Sequence, residues 1–227
     1  LFHFWNDKFQ YSPLPLKTER LYHSHHQLFS IQRTTVLRGF YMNILHIDSG
    51  IFVEQSVSRK LSRDVVAHLT RNGDAQVTHR DLVVNPVPHL DAETLLAEQN
   101  ELSEELLAEL QAADVLVIGA PMYNFTIPTQ LKAWLDRVLK AGVTFKYTEQ
   151  GPQGLLQGKT AYIASGRGGV YSQGEAAALD HQESYLRNVL AFIGITDVHV
   201  VRAEGVNLGD EPRQQALAAA EEAIAAL

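Results

Sequence analysis

The chain has 227 residues, 45% of them hydrophobic and 20% charged, the make-up of one globular domain. It has no cysteine, which excludes disulfides, thiolate nucleophiles and cysteine-bound zinc, and no uninterrupted apolar stretch long enough to cross a bilayer. A formal net charge of −7 argues against a general nucleic-acid binder.

Residues 1 to 41 carry Lys8, Lys17, Arg20, Arg33 and Arg38 against Asp7 and Glu19, a surplus of three positive charges that puts −10 on the rest. This segment has scattered aromatics, Pro13 and Pro15, an HSHH cluster at His23 to His26, and no helical or strand period. It lacks the continuous apolar core of a secretory signal, and its two acidic residues argue against a transit peptide. Because Met42 opens the first clean strand pattern, the stretch before it is expected to be an upstream extension outside the core fold. His23, His25 and His26 are metal ligands on one reading. A solvated tail is the preferred one, and no metal site is assigned.

From Met42 onward, strand-like and helix-like segments alternate, as in a parallel sheet wrapped by helices. Asn43 to Ile47 reads as the first strand, and Ser56 to Arg71 as a helix with Leu61, Val65 and Leu69 on one face. Gln76 to Arg80 is a short second strand, and NPVP at Asn85 to Pro88 forces an extended loop. A helix is expected over Thr94 to Ala112, acidic outside and leucine-rich inside. The third strand, Val115 to Ala120, is a continuous apolar run, the mark of a strand buried on both faces. Pro128 then opens a helix whose buried stripe is Ile127, Leu131, Trp134, Leu135 and Val138, and which should run to Gly142. Gly142 to Gly158 reads as an excursion, plausibly a hairpin. Lys159 to Ala164 is the fourth strand, Glu175 to Ile193 a long helix, Asp197 to Val201 the fifth strand and Pro212 to Leu227 the closing helix. The expected fold is α/β: a flavodoxin-like, doubly wound five-stranded parallel sheet, order 2-1-3-4-5 by analogy, with helices on both faces over residues 42–227.

Three loops should meet at the carboxyl ends of strands one, three and four, where such sheets bind ligands. The first, Asp48 to Ser58, sets Ser49, Ser56 and Ser58 around a helix start, where hydroxyls and free N–H groups suit a phosphate monoester. Serine before a helix also serves simply as an N-cap. The second, Pro121 to Phe125, offers Met122, Tyr123 and Phe125 to a planar ring and Asn124 to a heterocycle edge, although the same side chains would also top a core. The third, Ser165-Gly166-Arg167-Gly168-Gly169, lets backbone N–H groups approach a ligand, with Arg167 adding a positive charge. A glycine-rich turn is the competing explanation. Together the loops suit the phosphate, ring and ring edge of a mononucleotide.

Several other patterns fail. GLLQGKT at Gly154 to Thr160 has Gln153 where a phosphate-binding P-loop needs its first glycine, and it precedes a strand instead of following one. There is no HExxH, GxSxG or GxGxxG after the first strand. His46, His79 and His199 lie within strand patterns as core or edge residues, and Glu104 and Glu105 on a solvated helix face.

APMYNF at Ala120 to Phe125, TQLKAWLDRV at Thr129 to Val138, AGVTFKYTEQGPQGL at Ala141 to Leu155 and the Ser165 to Gly169 loop resemble the FMN-dependent NADH-azoreductase family, a likeness running from about Met42 to the C-terminus. The resemblance implies a cytoplasmic, flavodoxin-like homodimer with noncovalent FMN. Such an enzyme reduces quinones and aromatic azo compounds in ping-pong fashion with NADH as donor. It gives Ser56, Val57 and Ser58 to the FMN phosphate with Ser49 or Gly50 completing the cradle, Pro121 to Phe125 to the flavin ring, and Ser165 to Gly169 to the pyrimidine edge. It adds Tyr147 and Phe192, beside Asn124, to the substrate pocket, across the dimer interface. Gly50 stands where the family often has serine, and Gly166 is inserted into its SRGG loop. No catalytic acid/base dyad and no metal is expected, because the flavin carries the hydride. The alternative is a flavodoxin-type electron carrier without NADH-driven turnover.

Overall fold

The structure, a computed structural model, describes residues 41–97 and 99–227. The expectations for residues 1 to 40, the histidine cluster included, lie outside the described residues.

Five strands form one parallel sheet: β1 (Met42–Asp48), β2 (Ala75–Asp81), β3 (Val115–Pro121), β6 (Thr160–Gly166) and β7 (Asp197–Ala203). β4 (Phe145–Thr148) and β5 (Gly151–Gly154) make a separate antiparallel hairpin. The sheet order is β2-β1-β3-β6-β7, which is 2-1-3-4-5 once the hairpin is set aside. β3 is buried along its whole length, as its apolar run requires, and its register joins Ala120 to Ser165 and Pro121 to Gly166 of β6.

Alternation sorts the strand side chains to two cores. Leu45, Ile47, Leu116, Ile118 and Ile163 pack with Leu106 and Leu110 of α3 (Glu101–Ala112), Leu131 and Trp134 of α4 (Thr129–Val138) and Leu186 and Leu190 of α5 (Glu183–Phe192). On the opposite face Ile44, Val117, Ala164 and Val201 meet Leu61 and Val65 of α1 (Val57–Thr70) and Ala220 and Ile224 of α6 (Asp210–Ala225). At roughly 25 cal/mol per Å² of apolar surface removed from water, these two layers are the main stabilising term.

Three helix expectations are corrected, each by a polar side chain that satisfies the backbone outside the helix. The Thr94 to Ala112 stretch is two helices, α2 (Ala92–Leu96) and α3, because the chain turns extended at Ala97 and Asn100 caps afresh, its side chain accepting from the Ser103 N–H at 3.0 Å. The Glu175 to Ile193 helix is a 3-10 turn (Glu175–Leu179) followed by α5. The Asp180 carboxylate takes the N–H groups of Gln182 and Glu183 at 3.0 and 3.1 Å and so starts a new helix. α4 stops at Val138, short of Gly142, because the Thr144 hydroxyl bonds the Val138 carbonyl at 2.8 Å. Gly142, at φ +81°, instead shapes the turn into the hairpin.

Candidate functional site

β1, β3 and β6 end side by side, and the loops leaving them enclose a cleft of about 340 Å³. Its lining includes Ser56, Val57, Ser58, Pro121, Met122, Tyr123, Gly166 and Gly168 from the sequence-predicted set. All three loops are therefore brought together.

The first loop folds back over the start of α1. Ser56 is the N-cap, with extended φ and ψ and a long 3.5 Å acceptance from the Arg59 N–H, and its Oγ lies 3.0 Å from that of Ser58. α1 has no acidic residue in its first turn, so nothing there neutralises its N-terminal dipole. Gly50 passes so close that a Cβ there would stand 2.3 Å from the Ser56 Oγ, which explains glycine at this position. Ser49 is fully buried and its hydroxyl donates to the Gly119 carbonyl at 2.7 Å, so its side chain pins the loop to β3 and does not line the cleft. Arg59 braces the loop from behind: its Nε donates to the Gly50 carbonyl at 2.9 Å and its guanidinium grips Asp81 at 2.5 and 2.7 Å.

The second loop is a tight turn built on two residues in the left-handed region, Asn124 at φ 48° and Phe125 at φ 70°. Reciprocal bonds between Tyr123 and Thr126, at 2.9 and 3.1 Å, close it in the manner of a type I′ hairpin turn. Asparagine tolerates this conformation, whereas phenylalanine costs about 1 kcal/mol or more there. Asn124 and Phe125 thus sit at the turn tip, beyond the cleft-lining residues. The Tyr123 hydroxyl accepts from the Ile51 N–H at 3.1 Å and ties the second loop to the first.

The third loop corrects the expectation for Arg167. Its side chain is fully buried and points away from the cleft. Nη1 lies 2.9 Å from Asp180 and 3.1 Å from Glu204, Nη2 is 2.5 Å from Glu183, and Nε donates to the Ser165 hydroxyl at 3.0 Å. Four internal partners consume the positive charge expected for the ligand, because a buried guanidinium must be paired. Ser165 is likewise spent, donating to the Gln182 side chain at 2.7 Å. Of this loop, Gly166 and Gly168 border the cleft, while Ser165, Arg167 and Gly169 support it. A second hollow of about 320 Å³, walled by Asp180, Glu183 and Arg202, lies over the charge cluster and shares no lining residue with the cleft.

Phe52, Gln55, Val206, Asn207 and Arg213 also line the cleft and were not foreseen. Phe52 and Gln55 belong to the first loop, whereas the signal for Val206, Asn207 and Arg213 is the loop after the fifth strand, EGVNLGDEPR, which leaves β7 at the same end of the sheet. Tyr147 and Phe192 do not line the cleft of their own chain. Both rings pack on Phe145, at centroid distances of 5.5 and 4.5 Å, and Tyr147 is 58% exposed.

The strand histidines fall as expected. His46 and His79 face each other in register on β1 and β2, with rings stacked at 4.5 Å. The Asp48 carboxylate accepts from His79 at 3.0 Å and from Ser62 at 2.8 Å. Burial pushes the Asp48 carboxyl up, but the His46, Ser62 and His79 contacts outweigh it and hold the carboxyl below its ordinary value. His46, Asp48 and His79 lie near enough to gather round a cation, yet Arg59 Nη1 already stands 3.9 Å from the same Asp48 oxygen. Their evident role is to lock the end of β1.

Comparison with known proteins agrees with this architecture. A family model described as flavodoxin-like fold matches residues 42–227. An FMN-dependent NADH:quinone oxidoreductase 1 of Idiomarina loihiensis is 70% identical over 183 residues, covering 81% of this chain and 98% of that protein. An FMN-dependent NADH:quinone oxidoreductase of Rhizobium meliloti is 51% identical over 197 residues, covering 81% and 96%. Among solved structures, an FMN-dependent NADH-azoreductase of Bacillus anthracis in complex with FMN superposes with a TM-score of 0.72 at 28% identity, covering 81% of this chain and 98% of that one.

Proposed function

The chain belongs to the flavodoxin-like fold family, and on that premise we propose that it is an FMN-dependent NADH:quinone oxidoreductase that also reduces aromatic azo compounds by a ping-pong cycle. The observation that carries this reading is the cleft itself: a hydroxyl-lined helix start, a rigid aromatic turn and a glycine-rich strand end, converging on one space.

The cleft fits a flavin mononucleotide on its own chemistry. Its phosphate end has the Ser56 and Ser58 hydroxyls and the first N–H groups of α1, donors that an α-helix leaves unpaired. Its ring end is walled by Met122 and Tyr123, and between the two ends Gly166 lies so close to α1 that a Cβ there would stand 3.1 Å from the Ser58 nitrogen. FMN bound there supplies the hydride-accepting centre, and no protein acid or base is required. The residues of this chain hold and orient. Ser56 and Ser58 hold the phosphate, Met122 and Tyr123 flank the ring, and the backbone of Gly166 to Gly168 faces the pyrimidine edge. Asn124, at the turn tip next to the lining residue Tyr123, would meet the donor and acceptor as they approach.

The protein acts as a cytoplasmic homodimer in this reading, so that Tyr147 and Phe192 wall the cleft of the partner subunit. The exposure of Tyr147 and its absence from the lining of its own cleft support that placement. The test is an anaerobic titration of the purified, FMN-loaded protein with NADH, followed by a quinone. Full two-electron bleaching and reoxidation are expected. Little NADH oxidation, with a stable one-electron state, would identify an electron carrier instead.

A further inference from the structure

Arg213 is a half-buried arginine in the first turn of α6, a turn that also holds Asp210 and Glu211, neither of which it pairs with. Arg59 and Arg167, which brace the loops around the cleft, are both ion-paired. Arg213 makes no ion pair among the described residues, and there its side chain makes one hydrogen bond, a long 3.5 Å donation to the Val206 carbonyl. It lines the same cleft as Ser56, Val57 and Ser58, a wall whose other polar groups are neutral hydroxyls and amides. A phosphate monoester carries between one and two negative charges near neutral pH, and a guanidinium fork meets its oxygens with charge-assisted bonds.

We propose that Arg213 is the cation that recognises the phosphate of the bound flavin and sets a preference for FMN over riboflavin, an inference that rests on the flavin reading above. It accounts for an arginine that lines the cleft without an ion pair among the described residues, beside lining residues that are otherwise uncharged. Asn207, on the same wall, lies 2.7 Å from where a Gly168 Cβ would be, so the Val206–Asn207 loop fits closely against the glycine loop and positions the start of α6.

The experiment is a binding titration of the flavin-free full chain with FMN and, separately, with riboflavin, read by quenching of flavin fluorescence. Three proteins are compared: wild type, Arg213→Gln and Arg213→Lys. Arg213→Gln should weaken FMN binding about 10- to 100-fold while leaving riboflavin binding unchanged, and should flatten the salt dependence of FMN binding. Arg213→Lys should recover part of the loss. An unchanged FMN affinity, or an equal loss for both flavins, would overturn the role of Arg213 while leaving the flavoprotein reading intact. A wild-type protein that takes up neither flavin would overturn both.

Discussion

Two of the three cleft loops are braced from behind by an arginine, and the two braces differ. Arg167, under the glycine loop, is wholly inside the protein and meets Asp180, Glu183 and Glu204, which come from a loop, a helix and the end of β7. Arg59, under the serine loop, makes one bidentate pair with the partly buried Asp81, one bond to the Gly50 carbonyl and a longer 3.9 Å contact with Asp48. The glycine loop is thus held by a multi-partner charge cluster and the serine loop chiefly by the Arg59–Asp81 pair, and neither arginine lines the cleft.

The strongest test of this contrast is Arg167→Met, which strands carboxylates in the interior. It should destabilise the fold by about 3 to 5 kcal/mol in denaturant melts. A cost near that of an exposed salt bridge would mean that the cluster is not the brace proposed here. Next is Asp81→Asn, expected to cost about 1 to 3 kcal/mol by removing the bidentate carboxylate from Arg59. Hydrogen bonds from Arg59 hold the Asp81 carboxyl well below the usual carboxylate range. A depressed folded-state value means that its stabilisation is present above the unfolded value of 3.8 and is lost as pH falls below it. Denaturant midpoints measured from pH 6 down to pH 2 should therefore fall less steeply for Asp81→Asn than for wild type. An equally steep acid limb would assign the acid sensitivity elsewhere.

Asn124→Ala removes the side-chain amide that lets asparagine tolerate φ 48°, at a cost of about 1 kcal/mol, and should lower both flavin retention and NADH turnover. Unchanged retention and turnover would show that the turn tip takes no part in the site. The smallest effect is expected of Ser56→Ala. The 3.5 Å cap is weak, so stability should fall by no more than about 1 kcal/mol, while FMN affinity drops and riboflavin affinity does not.

Much of the cleft was legible because it lies at strand ends, and strand ends follow from apolar runs. Val115 to Ala120 announced a strand buried on both faces, and PMYNF had to follow it. The Ser56 to Ser58 stretch announced a helix start. Arg167 was misread because a charged side chain beside glycines looks the same whether it turns outward to a ligand or inward to carboxylates. The carboxylates that decide the matter lie between 13 and 37 positions away, at Asp180, Glu183 and Glu204. Arg213 and Asn207 went unseen because the loop after β7 was not counted among the loops of the crevice.

By itself, the sequence determined the alternation of strands and helices, the parallel sheet and the strand ends at which a ligand would sit, since hydrophobic period and turn chemistry are local properties. The tertiary structure alone decided which polar groups face the cleft and which are used to hold it. Ser49, Ser165 and Arg167 turn inward because buried polar groups must be paired, and their partners arrive from distant segments. Arg213 faces the cleft because, among the described residues, no carboxylate meets it first.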